Sequence, residues 1–182
     1  MKTLISLFAA ACLITTAFAQ QPAAQKKTGA ENQNLNVWYG EWTYVGTSVT
    51  TPLGPGYQYT GRMTGRPVLD GFAGEFTYEE KGPAGEHHYL EIDFWDPGIK
   101  AYRYIFLGDD GYVERGSFTM KGGVTSFEGA VAFEGKIFKG RGVETLAGDG
   151  LSLIKKFDLC ADGKTWLPYV ESKYTKVIPE VK

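Results

Sequence analysis

The chain has 182 residues and a formal net charge of −2, with 43% hydrophobic and 22% charged residues, which is enough for one domain with a sizeable core. Such mild acidity gives no electrostatic attraction to phosphates, so no nucleic-acid partner is expected. The 24 glycines and the many aromatic residues (4 Trp, 11 Tyr and 11 Phe) argue against a helical bundle, because glycine weakens helices and aromatic residues favour strands.

The N-terminus has the pattern of a cleavable signal peptide. Lys2 supplies a positive charge, residues 4–18 are largely apolar, and Ala17-Phe18-Ala19 is a small-x-small cleavage site. We therefore expect a signal peptide over 1–19, cleavage after Ala19, and a secreted or periplasmic protein. No later segment has the roughly 18 apolar residues that a membrane-spanning helix needs, so no transmembrane helix is expected.

The next stretch, residues 20–34, is polar and has no hydrophobic periodicity, which predicts a disordered linker. A single domain is expected over 35–177, followed by a short tail over 178–182. Residues 35–39 are too few to classify and are compatible with one helical turn.

Turn signals divide the rest of the chain into strands. From Asp70 onward they recur about every 12 to 14 residues, so that each interval holds one strand and one tight turn. They fall at Gly54-Pro55-Gly56, Asp70-Gly71, Gly82-Pro83-Ala84-Gly85, Asp96-Pro97-Gly98, Asp109-Asp110-Gly111, Gly122-Gly123, Glu134-Gly135, Gly148-Asp149-Gly150 and Asp162-Gly163. Nine short turns predict an all-β, antiparallel up-and-down meander of about ten strands. Closure into a β-barrel would remove its exposed edges.

Alternation assigns a face to two of these strands. In 72–80, Phe76 and Tyr78 belong to an apolar set that alternates with charged residues. In 88–94, Leu90 and Ile92 alternate with Glu91 and other polar residues in the same way. A period of two predicts that the apolar set of each strand faces the core.

Two-residue hairpin loops would fix the register of later strands. Loops at Gly122-Gly123 and Glu134-Gly135 place Gly116, Gly129 and Gly140 in one row across the sheet. Glycines in such a row either bend the sheet or leave interior space for a ligand. A loop at Gly148-Asp149 would place Gly142 opposite Lys155.

Lys155 is the most informative polar residue, because it shares a face with apolar neighbours and is expected to point inward. A buried ammonium requires a partner. The partner is either Glu144, diagonal to it in this register, or the carboxylate or phosphate of a ligand. Glu114 is a second inward candidate. The candidate ligand-binding residues are therefore Lys155, Glu114, Glu144, Tyr78, Tyr112 and Phe127.

Other chemistry has little support in the sequence. His87 and His88 are adjacent, so in a strand their side chains face opposite ways and cannot share one metal ion. No G-x-S-x-G motif occurs. We therefore predict no metal site and assign no catalytic residue.

Gly40-Glu41-Trp42 resembles the G-x-W signature of the calycins, the lipocalin and fatty-acid-binding-like barrels. The resemblance implies a lipocalin-like β-barrel in which Trp42 closes one end. It also implies a basic residue of the last strand over that ring, held by cation–π attraction, and Lys173 is the candidate.

Further motifs extend the resemblance over residues 35–177. The stretches 66–72, 96–102 and 174–177 are similar to those of a family of small bacterial secreted domains of unknown function with a calycin barrel. Related nitrobindin-like barrels bind haem through a His near the C-terminus. This chain has no His after His88, so no haem and no other cofactor is expected.

These observations predict a secreted lipocalin-like barrel that binds a small hydrophobic or anionic amphipathic ligand in its lumen, since the inward face combines aromatic residues with few polar groups. Two alternatives remain open. One is an enzyme that uses Lys155, Glu114 or Glu144 as acid and base groups. The other is an outer-membrane β-barrel, because about ten strands of about ten residues also fit that class.

Overall fold

The structure, a computed structural model, describes residues 28–179 as ten strands preceded by a short helical segment. This segment consists of the helix α1 (Ala30–Gln33) and a 3-10 helix (Asn34–Trp38). A further 3-10 turn, Leu69–Gly71, lies between the second and third strands. The strands are β1 (Gly40–Ser48), β2 (Gln58–Val68), β3 (Ala73–Gly82), β4 (Gly85–Asp96), β5 (Ala101–Gly108), β6 (Val113–Lys121), β7 (Val124–Phe133), β8 (Lys136–Leu146), β9 (Ser152–Cys160) and β10 (Leu167–Lys176).

The strands form a closed antiparallel barrel. Each strand pairs with the next along the chain, and β10 pairs with β1 to close the sheet. The predicted fold class, an all-β up-and-down meander closed into a ten-stranded barrel, is confirmed. No helix within residues 28–179 is long and apolar enough to cross a membrane.

Aromatic rings lie over glycines of the neighbouring strand at several places in the barrel wall. Tyr59 stands directly opposite Gly46, and Tyr44 opposite Gly61. A Cβ atom on either glycine would collide with the ring that faces it. The same arrangement joins Phe127 to Gly142 across β7 and β8. Much of the glycine and aromatic excess of the sequence is therefore used in pairs, one residue making room for the other.

The predicted glycine row is confirmed, with Gly116 opposite Gly129 and Gly129 opposite Gly140. A Cβ atom on Gly116 would collide with the backbone carbonyl oxygen of Glu128. At Gly140 the space that a side chain would take is occupied by the ring of Phe157. These glycines allow close approach and bending of the wall and leave no room of their own for a ligand.

The predicted register of β8 and β9 is wrong by two residues. Gly142 lies opposite Phe157, and Lys155 lies opposite Glu144 instead of diagonal to it. The turn is longer than two residues because Asp149 Oδ1 accepts a hydrogen bond from the Leu151 amide at 2.9 Å, which adds a local turn. A shift of two keeps every side chain on its face, so Lys155 still points inward.

The predicted faces of β4 are also wrong. Phe76 lies opposite Glu91 across β3 and β4, and opposite residues in a sheet share a face. Since Phe76 is buried in the core, Glu91 and Asp93 point into the barrel and their neighbours Leu90 and Ile92 point out. Asp93 is 6% exposed, so the polar set of this strand is the inward one.

The helical segment closes one end of the barrel. Leu35 and Trp38 are buried, and the Trp42 indole nitrogen donates a hydrogen bond to the Trp38 carbonyl at 3.0 Å. The Tyr102 hydroxyl donates to the Glu31 carbonyl at 2.6 Å. Helix formation and packing thus begin at Ala30, so the prediction of a disordered linker is wrong for residues 30–34.

Other predicted boundaries fall on parts of the chain that the structure does not describe. The signal peptide over 1–19, the linker residues 20–27 and the tail residues 180–182 lie outside the described residues.

The basic residue over the closing tryptophan is Lys176, and the prediction of Lys173 is wrong. Lys176 is the cross-strand neighbour of Trp42, and its Nζ lies 5.0 Å from the centroid of the indole ring. Lys173 pairs with Val45 instead and is exposed. Three residues along a strand span about 10 Å, so Lys173 lies too far along β10 to cover the ring.

Candidate functional site

The end of the barrel opposite the helical segment holds a cavity of about 500 Å³, here called the mouth. It opens between the loops that join β1 to β2, β3 to β4 and β5 to β6. Its wall is mainly aromatic and includes Tyr44, Tyr57, Tyr59, Tyr89, Phe106, Tyr112, Phe133, Phe157 and Tyr169. An open, largely aromatic cavity of this size is typical of a small-molecule site.

A smaller cavity of about 50 Å³, here called the inner chamber, lies deeper in the lumen. Its ionisable lining residues are Glu91, Asp93, Glu114, Glu144, Lys155, Tyr78, Tyr104 and Tyr174. The mouth and the inner chamber share lining residues, among them Tyr78, Glu114 and Lys155. The two cavities therefore adjoin, an apolar space leading to a polar one.

Lys155 is paired within the protein. Its Nζ lies 3.4 Å from Glu144 Oε1 and 5.1 Å from the ring centroid of Phe127. Burial lowers the pKa of Lys155, but the carboxylates of Glu144, Glu91 and Glu114 outweigh burial and hold this pKa above its usual value. The ammonium is therefore charged and already has a carboxylate partner.

Glu114 is held by two tyrosines. Tyr104 donates a hydrogen bond to its Oε1 at 2.6 Å, and Tyr112 donates to its Oε2 at 3.0 Å. Burial raises the pKa of Glu114, and Lys155 and the two hydroxyls only partly offset this. The residue lies where the mouth meets the inner chamber.

Glu91 and Asp93 form a carboxyl pair on β4. Tyr78 donates a hydrogen bond to Glu91 Oε2 at 2.5 Å, and the Asp93 carboxyl lies within hydrogen-bonding reach of Glu91. Burial raises the pKa of Glu91 to about 7. Burial, and then the neighbouring charge of Glu91, raises the pKa of Asp93 well above its usual value. Two carboxyls so placed share a proton or require a cation.

Glu80 is a further inward carboxyl, at the mouth. Burial raises its pKa to about 7, although His87 and the hydroxyls of Tyr44 and Tyr57 favour the ionised form. Glu80 and Glu91 therefore both change charge close to neutral pH.

All six predicted ligand-binding candidates lie in the lumen. Tyr78, Phe127, Glu144, Glu114 and Lys155 line the inner chamber, and Tyr112 lines the mouth. Their contact with a ligand stays a prediction.

Glu91, Asp93 and Glu80 were not among the residues predicted to point inward. The signal was present, because Pro83-Ala84 is a two-residue loop that sets Gly82 opposite Gly85. Counting back from this loop places Tyr78 opposite Tyr89 and Phe76 opposite Glu91. The hairpin rule that correctly paired β6 with β7 and β7 with β8 would have shown these carboxyls facing inward.

The two histidines meet at one carboxylate. His87 Nδ1 lies 3.5 Å from Asp109 Oδ1, and His88 Nδ1 lies 3.1 Å from Asp109 Oδ2. His87 lines the mouth, whereas His88 is exposed. Across residues 28–179, no group of three or more His, Cys, Asp or Glu side chains is arranged to hold a metal ion.

Comparison with known proteins identifies the fold and no family. No protein-family model and no curated protein matches the chain. Among solved structures, Rv2717c from M. tuberculosis superposes with a TM-score of 0.60 at 15% identity, over 84% of this chain and 100% of the other. The S-type phycobiliprotein lyase CPES from Guillardia theta superposes with a TM-score of 0.53 at 9% identity, over 84% and 94%.

The closed ten-stranded barrel and these two neighbours define a calycin-like fold. At such low identity the likeness concerns the fold alone.

Proposed function

We propose that this protein binds a small apolar or amphipathic molecule in the lumen of its barrel. The observation that carries the proposal is the mouth, a cavity of about 500 Å³ walled by aromatic side chains. Small-molecule sites are typically 300–1,000 Å³, mostly apolar, with a few convergent polar groups. Here the polar groups are Lys155 and the inward carboxyls, and the helical segment closes the far end.

The proposal is tested with the fluorescent probe N-phenyl-1-naphthylamine, which brightens when it leaves water for an apolar site. We expect saturable binding with about one probe for each barrel. Val170→Trp places a large ring among the lining residues of the mouth and should weaken binding at least about fivefold.

Glu171→Trp is the matched control, because this neighbouring residue is exposed on the outer face. It should leave probe affinity unchanged. Circular dichroism checks that both variants are folded. If the wild-type protein does not bind the probe saturably, the mouth is not a binding site for it. The same conclusion follows if both variants bind the probe as tightly as the wild type does.

A second candidate function is catalysis in the same lumen. Glu91 favours it, because a carboxyl with a pKa of about 7 suits a general acid or base at neutral pH. Mass spectrometry of a bound compound after prolonged incubation distinguishes the two functions. A binding protein returns the compound unchanged, whereas an enzyme returns a product whose formation depends on Glu91.

We further propose that the protein is exported and belongs to a family of secreted bacterial calycin-like domains. The support is the signal-peptide pattern of residues 1–19 and the motifs over 35–177. Expression in a bacterial host, followed by intact mass measurement of the periplasmic fraction, should give a chain that begins at Gln20. A chain recovered only in the cytoplasm with residues 1–19 attached would contradict export.

The outer face of the barrel favours contact with water over burial in lipid. Arg62, Arg141 and Lys156 lie near the middle of their strands and are exposed. A basic residue at the midplane of a lipid-facing surface destabilises a membrane barrel by about 2–4 kcal/mol. This supports the lumen-binding proposal over the outer-membrane alternative.

A further inference from the structure

The inner chamber contains more acidic groups than basic ones. Its lining within the described residues includes four carboxyls, those of Glu91, Asp93, Glu114 and Glu144, and a single ammonium, that of Lys155. Lys155 is engaged by Glu144, and Glu114 by two tyrosine hydroxyls. Among the described residues, the carboxyl pair of β4 has only Tyr78 as a hydrogen-bond donor.

Asp93 is the least satisfied of these groups. Its residue is 6% exposed, it lines the inner chamber, and no described residue donates a hydrogen bond to its Oδ1. Buried polar atoms are nearly always hydrogen-bonded, and one that is not requires an explanation. The Glu91 carboxyl lies within hydrogen-bonding reach and can donate to Asp93 only while it is protonated.

The dimensions of the lumen limit what could complete this pair. The inner chamber has a volume of about 50 Å³, enough for a compact group of one or a few heavy atoms, since one water occupies about 30 Å³. The adjoining mouth, ten times larger, is aromatic. A molecule that fills both spaces has a small polar head and an apolar or aromatic body.

We propose that the ligand is a primary amine with an apolar or aromatic body, whose ammonium head is held in the inner chamber by Asp93 and Glu91. This inference rests on the proposed function and names its ligand class. An ammonium supplies three hydrogen-bond donors and a positive charge. Among the described residues, the β4 pair receives one hydrogen bond, from Tyr78, and it shares the charge of Lys155 with Glu144. An anionic head would meet four carboxyls and a lysine that is already paired, so the earlier expectation of an anionic amphipathic ligand is replaced.

Binding of such a head releases a proton. Without ligand the β4 pair retains at least one proton, because burial disfavours two adjacent carboxylates. An ammonium placed between them favours ionisation of both, and the displaced proton leaves to solvent. The groups that face the pair from the surrounding elements are Tyr39 just before β1, Tyr78 on β3, Tyr104 on β5, Glu114 on β6, Glu144 on β8, Lys155 on β9 and Tyr174 on β10. Among these, Lys155 favours the ionised forms of Glu91 and Asp93, but its ion-pair partner is Glu144.

The test compares three probes that share a phenyl body and differ in the head: 2-phenylethylamine, 2-phenylethanol and 3-phenylpropanoate. Isothermal titration calorimetry at pH 7 should show the amine binding at least about tenfold more tightly than the alcohol, and the carboxylate most weakly. Titrations in two buffers of different ionisation enthalpy should show release of up to one proton with the amine and none with the alcohol. Amine affinity should rise at least about tenfold from pH 6 to pH 8.

Two variants locate the effect. Asp93→Asn should remove the preference for the amine and its proton release while leaving the affinity for 2-phenylethanol within about twofold. Glu79→Gln, which changes an exposed carboxylate on β3, is the matched control and should behave as wild type. The wild-type probe series and the proton count decide the question even if Asp93→Asn does not fold.

The outcomes separate this inference from the proposed function. If the alcohol binds as tightly as the amine, or if the amine preference survives in Asp93→Asn, the inference is wrong and the lumen remains a binding site. Ca²⁺ binding that depends on Asp93, without an amine preference, would also overturn it. If none of the three probes and no N-phenyl-1-naphthylamine binds, both proposals fail.

Discussion

Tyr78 shows how a buried carboxyl is retained inside an aromatic barrel. A carboxyl taken out of water without a partner is strongly unfavourable, and the Tyr78 hydroxyl supplies one hydrogen bond to Glu91 at 2.5 Å. Tyr104 and Tyr112 do the same for Glu114. These three tyrosines form part of the wall of the lumen and also donate hydrogen bonds to the buried carboxyls. This explains why aromatic and acidic residues occur together there.

Glu91→Gln should change how stability depends on pH. Glu91 has a pKa of about 7 in the folded protein against 4.5 as its ordinary value, so the folded state holds the proton more tightly than the unfolded state. Its contribution to the free energy of unfolding therefore falls as pH rises from about 4.5 to about 7 and is constant above that range. Urea unfolding at pH 5, 6, 7 and 8 should show a smaller decrease with pH in the variant.

The exposed neighbour Glu79 provides the control, because Glu79→Gln should preserve the wild-type slope. Glu80 has a raised pKa of about 7 as well, so Glu91→Gln should reduce the slope without removing it. A slope identical to wild type would show that Glu91 is not buried as the structure places it.

Among the elements, the hairpins decide which residues reach the lumen. The turn signals correctly predicted ten strands and, through two-residue loops, the pairing of Gly116 with Gly129 and of Gly129 with Gly140. The rule failed between β8 and β9, where the Asp149 side chain lengthens the turn. The loop length there depends on a local side-chain hydrogen bond, which an Asp-Gly sequence permits but does not require.

Alternation of apolar and polar residues was misleading for β4. The strand has Leu90 and Ile92 on one face and Glu91 and Asp93 on the other, and hydrophobicity alone assigns the first pair to the core. Register with β3 reverses this assignment. A strand pattern defines two faces but does not say which of them points inward, and here the polar face belongs to the candidate site.

Gly116→Ala should destabilise the barrel wall. The new Cβ would collide with the Glu128 carbonyl oxygen and approach the Gly129 Cα, and both are backbone atoms that cannot move aside. Overpacking of this kind lowers the free energy of unfolding by about 1–3 kcal/mol. Urea unfolding at one pH measures the change.

Gly148→Ala is the matched control, since open space surrounds Gly148 in the turn between β8 and β9. It should change the free energy of unfolding by less than about 0.5 kcal/mol. Equal effects of the two substitutions would contradict close strand approach at Gly116.

At the scale of the whole molecule, the barrel has one closed end and one open end. The helical segment, with Trp38 and Trp42, fills the closed end, and the mouth occupies the other. The turn pattern predicted the barrel, and the resemblance of Gly40-Glu41-Trp42 to the calycin signature implied the Trp42 closure. The covering lysine was misplaced, because only the pairing of β10 with β1 brings Lys176 opposite Trp42.

The candidate site was predicted in part. The inward direction of Lys155 followed from strand faces, which survive a register error of two residues. Glu144 was one of the two partners left open for it, the other being a ligand anion. That the β4 carboxyl pair lies near Lys155 could not be predicted, because β4 and β9 are far apart in sequence and approach each other only across the lumen of the closed barrel. Strand pairing within a single hairpin was therefore predictable from the sequence. Contacts between side chains of distant strands, which form only when the barrel closes, were not.

The central claim is that the lumen binds a small molecule through the mouth, and its location is tested most directly by nuclear magnetic resonance. In a ¹⁵N-labelled sample titrated with N-phenyl-1-naphthylamine, we predict that amide shifts change most at mouth residues such as Tyr57, Tyr89 and Tyr169. The chemical shifts of amides at the closed end, such as those of Asn36 and Val37, should not change. Shift changes confined to the outer face, or no changes at saturating probe, would contradict the claim.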